Sequence, residues 1–276
     1  MTSTETGRAL REAAAVEPVG PGRWRVELSP LYTVMGHPNG GYLQCVLANS
    51  ALAAGSDSSA HHLHATAITT NFVHAADLGP AEIHVDVRRV GRGVSFVHAA
   101  RCQGDAVKAE SLVTLGVLNE DSAARYMDAT PFDVASLEEC HQIPEGSGPA
   151  YMDMLDLRLD PNCVGWWFGE KSARAEVKGW IRLDDGQALW DAWNVLFACD
   201  ATPPATMPVG SSGWVPTLQL TSYVRRIPHD EWLRVRQWCV VIADGTVDER
   251  CELFDSHGEL VACSSQLAMV RFPTSG

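Results

Sequence analysis

A repetition of order constrains this chain more than any single motif. Residues Gly41–Ala54, GYLQCVLANSALAA, form a run of helical length without one charged side chain. Such a run has no polar face to turn to water, so the helix it predicts must be covered on most sides. Four strand-like stretches follow, separated by turns rich in Gly, Asp and Pro: His64–Ala75, Ala81–Val90, Val94–Gln103 and Ala106–Leu118. The plan then recurs. Val164–Leu183 reads as strands, QALWDAWNVLFACD (Gln187–Asp200) as a second apolar helix, and Thr217–Ile227, Glu231–Ala243, Val247–Asp255 and Glu259–Phe272 as four more strands. TAITTNFVH (Thr66–His74) aligns with TLQLTSYVR (Thr217–Arg225) at an offset of 151, and GDAVKAESLVTL (Gly104–Leu115) aligns with GELVACSSQLAM (Gly258–Met269). Identities are few, so the repeated order carries more weight than the residue matches.

Two half-chains, each a buried helix against an antiparallel sheet, predict an α+β protein with a pseudo-twofold axis. A helix wrapped by a curved antiparallel sheet is the hotdog fold, so the expectation is a double hotdog. Residues 1–118 form the first unit, the acidic, Pro- and Gly-bearing stretch 119–161 a linker, and 162–276 the second unit.

The chain has 276 residues and a formal net charge of -13, from 34 acidic side chains against 21 Lys and Arg. That field repels phosphates at long range, which argues against nucleic acid and anionic membranes as partners. The eight cysteines include no C-x-x-C pair and sit mostly in apolar runs, so they read as buried thiols of a reducing compartment. With no apolar leader in MTSTETGRALREAAAVEPVG and no run of membrane-spanning length, the expected location is cytoplasmic. A homo-oligomer is left open.

Comparing the halves singles out polar exceptions. Asp200 ends an apolar run, with two residues between it and Pro203–Pro204, where its charge meets the negative end of its own helix dipole. It falls near Asn49 or Ser50 of the first helix. Thr217 opens the next strand opposite Thr66, and Gln266 stands in the last strand where the first half has Leu112. An acid, a hydroxyl and an amide together can hold a water. A solvated acid, a strand threonine and a surface glutamine explain the same residues singly. Gly40 and Gly41 open the first helix, where bare N–H groups can form an oxyanion site; a tight turn explains them equally well. His61, His62 and His64 have no acid or cysteine at a metal-site interval and read as a loop cluster, so no metal is expected. Arg88, Arg89 and Arg92 offer local positive charge for phosphates, or are solvated arginines of a hairpin.

At these residues the chain resembles the acyl-CoA thioesterase II (TesB-type) family of double-hotdog thioesterases. The segment NFVHAADLGPAEIHVDVRRVGRGVSFVHAARCQGDAV (Asn71–Val107) follows the family pattern, and the resemblance spans roughly Gly36 to Phe272 apart from the linker. It implies that Asp200, Thr217 and Gln266 jointly hold a hydrolytic water. It also implies that the arginines meet the phosphates of coenzyme A and that no cofactor is needed. The strand after Thr217, LQLTSYVRR, departs from the family's I-D-H-S-M-W-F-H-R type. The expected activity is hydrolysis of acyl-CoA. The alternative is a non-catalytic acyl-CoA or acyl-ligand binding protein. A hotdog hydratase ranks last, because neither apolar run contains the histidine it uses.

Overall fold

The computed structural model describes residues 9–56, 61–119, 124–185 and 189–273. A one-turn helix, α1 (Leu10–Ala13), precedes β1 (Glu17–Gly20) and β2 (Arg23–Leu28), and the two-residue strands β3 (Thr33–Val34) and β4 (His37–Pro38) pair with each other. The long helix α2 (Gly40–Ser56) leads into β5 (His64–Phe72), β6 (Gly79–Val90), β7 (Ser95–Gln103) and β8 (Ala106–Gly116). Then come β9 (His141–Gln142), β10 (Leu155–Leu159), β11 (Glu176–Leu183) and a short helix α3 (Val195–Ala198). Four strands finish the chain: β12 (Thr217–Val224), β13 (Leu233–Ala243), β14 (Thr246–Phe254) and β15 (Leu260–Met269). All strands but β3 and β4 join one antiparallel sheet, in the order β1-β2-β6-β7-β8-β5-β12-β15-β14-β13-β11-β10-β9. Helix α2 packs on β5–β8 and touches α3, and its inner residues from Tyr42 to Ala48 are buried. Asn39 starts α2 by accepting the Tyr42 N–H on Oδ1 at 3.0 Å.

Apart from the edge strand β9, the strand order is palindromic about the β5–β12 pair. At its middle Thr69 lies opposite Thr221, with the hydroxyls 3.1 Å apart. A two-fold normal to an antiparallel ladder passes through a directly opposed pair. Residues 69 and 221 are therefore equivalents, and the true offset is 152, not the 151 of the sequence alignment. The bulges agree. The ladder slips between Ala65 and Ala67 and between Thr217 and Gln219, then between Val87 and Arg89 and between Cys239 and Val241. A shift of one residue moves every side chain to the other face. The first-half equivalent of Thr217 is thus Ala65 rather than Thr66. Leu115 faces Ala65 as Ala268 faces Thr217, which makes Val113, not Leu112, the equivalent of Gln266.

The second helix is much shorter than expected. Of its described residues, 189–200, only Val195–Ala198 is helical, and Gln187 and Ala188 lie outside the described residues. Asp191 Oδ1 accepts the N–H groups of Trp193 and Asn194 at 2.7 and 2.8 Å, and Asn194 Oδ1 accepts that of Asp191 at 2.6 Å. This reciprocal cap starts the turn at Asp191. Within Val164–Leu183, Gly165–Phe168 forms a 3-10 turn ended by Gly169 at φ 88°, and the strand is confined to Glu176–Leu183. Part of the expected linker is also built in: Leu155–Leu159 is a strand between β9 and β11, and Asp160 Oδ2 holds the Ala135 N–H at 2.9 Å.

Candidate active site

Asp200 closes α3 and meets the start of α2. Its Oδ2 accepts the Gly41 N–H at 3.0 Å and Asn39 Nδ2 at 3.3 Å, and Asn39 Nδ2 also donates to the Asp200 carbonyl at 2.9 Å. The carboxylate that is misplaced on its own short helix therefore sits at the positive end of a 17-residue one. The glycines are needed for closeness. A Cβ on Gly40 would lie 2.7 Å from Asp200 Oδ2, and one on Gly41 would lie 2.8 Å from the Phe197 carbonyl oxygen. The Gly41 N–H, expected at an oxyanion site, donates here to Asp200.

Thr217 and Gln266 are brought together across β12 and β15, with Thr217 Oγ1 donating to Gln266 Oε1 at 2.8 Å. Gln266 faces the interior and not solvent, because Nε2 donates at 2.6 Å to Oε2 of Glu249 on β14. Gln237 on β13 donates to the same oxygen at 2.7 Å, and Thr202 donates to Gln237 Oε1 at 2.6 Å. Two chains of hydrogen bonds, Thr217–Gln266 and Thr202–Gln237, thus converge on one carboxylate that is only 1% exposed. By the 152-residue equivalence, and through the pairs Glu249–Gln266 and Val97–Val113, the first half has Ala65, Val85, Val97 and Val113 where the second has Thr217, Gln237, Glu249 and Gln266. One inward layer of the fold is apolar in one half and polar in the other.

Glu249 and Gln237 escaped the sequence reading. The signal was period-two alternation: Glu249 falls between Val247 and Cys251, and Gln237 follows Leu233 and Val235, all on buried faces.

Asp200, Thr202, Thr217, Gln237, Glu249 and Gln266 all line a cavity of about 540 Å3. Its other walls are mainly apolar, including Leu43, Phe72, Met152, Trp166, Trp167 and Met207. Trp214 stacks on His37 at its edge, ring centres 4.7 Å apart. Burial pushes the Asp200 carboxyl up to about 7, the charge of Glu249 adds to the rise, and the Gly41, Gly40 and Asn39 donors oppose it. Burial likewise raises Glu249, against the hydrogen bonds of Gln237, Gln266 and the Ala205 N–H.

Arg88, Arg89 and Arg92 are not brought to this cavity. Arg88 and Arg89 lie at the exposed far end of β6, Arg92 in the turn beyond it, and Arg88 pairs with Asp86 at 3.0 Å. The three histidines also diverge: His61 is exposed, His62 binds Ser95 Oγ at 2.9 Å and His64 accepts the Leu118 N–H at 3.0 Å. The described cysteines are all unpaired and mostly buried. No helix among the described residues is long and apolar enough to cross a membrane.

Two family models match the chain: an acyl-CoA thioesterase N-terminal domain over residues 29–116 and an acyl-CoA thioesterase C-terminal domain over residues 135–270. A crystal structure from Thermobifida fusca, provisionally described as a thioesterase II, is 31% identical, with a TM-score of 0.86 over 95% of this chain and 97% of that one. A protein of unknown function with a hot dog fold from Alicyclobacillus acidocaldarius superposes with a TM-score of 0.80 at 18% identity, covering 96% and 98% of the two chains. An uncharacterized protein of Mycobacterium tuberculosis is 28% identical over 271 residues, 88% of this chain and 89% of its own.

Proposed function

Because this chain belongs to the acyl-CoA thioesterase family, we infer that it hydrolyses an acyl-CoA thioester in the cavity where Asp200, Thr217 and Gln266 meet. The observation that carries the reading is that Asp200, Thr217 and Gln266 line one largely apolar cavity, with Thr217 bonded to Gln266. A free carboxylate, with a pKa near ~4, is a poor base. One raised to about 7 is matched to neutral water chemistry. In this reading the chain is a double hotdog whose two units share one site: α2 of the first unit orients the base, and the strands of the second unit carry the hydroxyl and amide.

Water donates one proton toward Asp200 Oδ1, since Oδ2 is held by Gly41 and Asn39. The Thr217 proton is committed to Gln266, so Thr217 Oγ1 offers lone pairs and accepts the second water proton. The second N–H of Gln266 Nε2 donates to the water oxygen and leaves one lone pair for the thioester carbon. As the C–O bond forms, the first proton passes to Asp200. When the C–S bond breaks, Asp200 returns that proton to the leaving sulfur, giving acid and thiol. Gly40 and Gly41 act on the base rather than on the carbonyl.

The test is thiol release from short to long acyl-CoAs, wild type beside Asp200→Asn, with an enzyme-only blank for the eight cysteines. We expect release by the wild type and a loss of at least ~1000-fold in the variant. Equal rates in a folded variant would remove Asp200 from the mechanism. Saturable acyl-CoA binding with no release from the wild type would identify a binding protein instead.

A further inference from the structure

We propose that Glu249 is a positioning residue for this reaction: it fixes the amide of Gln266 and adds a second carboxylate to the cavity that Asp200 lines. The inference rests on the hydrolase reading above, but its geometry stands apart from it. An ionised carboxylate only accepts hydrogen bonds, and the groups around Glu249 all donate. Gln237 Nε2 and Gln266 Nε2 meet Oε2 at 2.7 and 2.6 Å, Cys239 Sγ approaches Oε1 at 3.7 Å, and the Ala205 N–H also points to the carboxylate. As the two amides are oriented, each turns its NH2 to the carboxylate and its oxygen away, to Thr202 or Thr217.

The direction of the chain matters for the chemistry. With Glu249 ionised, the NH2 of Gln266 must face it, so the Gln266 oxygen faces Thr217 and takes the hydroxyl proton. Thr217 then presents an acceptor to the cavity. With Glu249 neutral, its proton can go to a reversed amide, the amide N–H turns to Thr217, and the hydroxyl becomes a donor toward the cavity. A donor there would bind the lone pair that must attack. Glu249 therefore sets the polarity of a hydroxyl it does not touch.

The symmetry of the fold supports a functional origin. At the equivalent place Val97 fills the layer, so the architecture accepts an apolar residue there. Burying a carboxylate and two amides in place of valines does not serve packing.

The electrostatic part concerns Asp200, which other titratable groups also face. Cys199 adjoins it, Tyr151 and Cys251 feel its charge, and His37 and His74 line the same cavity. Beside these groups, the charge of Glu249 raises Asp200. The experiment is kcat/KM against pH for thioester hydrolysis by wild type, Glu249→Gln and Glu249→Asp. The acid limb should move down by roughly one pH unit in Glu249→Gln and return toward the wild-type position in Glu249→Asp. The kcat of Glu249→Gln at pH 8 should fall ~10-fold or more, because the glutamine no longer dictates the Gln266 orientation. A fall in kcat with an unmoved limb in a folded Glu249→Gln would reduce Glu249 to a filler and overturn the proposal. If that variant does not fold, carboxyl 13C NMR titration of the wild type and of Asp200→Asn decides. Glu249 should titrate at lower pH once the Asp200 charge is gone, and an unchanged titration overturns the proposal. A wild type that releases no thiol would end the hydrolase reading, while the NMR titrations would still report the coupling of the two acids.

Discussion

At the scale of the residue, Asp200 is held in conflict. Burial and the Glu249 charge favour its neutral form, and three donors from the start of α2 favour the anion. Its folded pKa of about 7 lies above the ordinary 3.8, so the native state holds the proton more tightly than the unfolded chain. The stabilisation this gives is fully present below the ordinary value and is lost as pH rises through 7. Asp200→Asn should therefore leave stability nearly unchanged at pH 4. At pH 8 it should raise stability, by on the order of 2 kcal/mol, as urea titrations at the two pH values would show. A variant less stable than wild type at pH 8 would mean that the anion is better solvated than its surroundings imply. For the wild type, kcat/KM for hydrolysis should rise with pH to a plateau above about 7, since the base works only when ionised.

At the scale of the element, the start of α2 and the end of α3 are fitted to each other through two glycines. Gly41→Ala would drive a methyl against the Phe197 and Leu196 carbonyls, at 2.8 and 3.1 Å, both of them backbone. It should destabilise the protein by about 2 kcal/mol, read as a lowered Tm. Gly40→Ala presses instead on the Asp200 carboxylate and the Phe72 ring, side chains that can yield. Its effect should fall more on turnover than on Tm. Elements are also where the sequence is informative in one way and silent in another. The long helix and eight of the strands follow from period and turn chemistry, and so do the places of Asp200, Thr217 and Gln266. The face of Gln266 did not follow, because over 217–225 the 151-residue alignment matches three residues and the correct 152-residue one matches one, while the two place opposite faces inward. The pairing of Thr69 with Thr221, together with the matching bulges, settles it. The short α3 was legible in Asp191 and Asn194, whose capping spacing was read as helix interior. That the end of α3 meets the start of α2 is a tertiary fact with no local signal, so the use of the Gly41 N–H by Asp200 was out of reach.

At the scale of the whole molecule, the buried polar layer is a stability cost carried by one half. Replacing Gln237, Glu249 and Gln266 together with leucine should give a protein as stable as the wild type or more so, by about 1–4 kcal/mol, and inactive in hydrolysis. Thermal unfolding with circular dichroism would check it, and a strongly destabilised triple variant would show that the layer is structural. The axis through Thr69 and Thr221 has a further consequence. In a dimer of identical chains every substitution appears twice, so a site that needs buried charge must be built, and its strain borne, at both ends of the assembly. Two unlike halves in one polypeptide are free of that obligation. Here the end that lacks the acid keeps its valines, and the chain confines this costly layer to the half where the cavity opens.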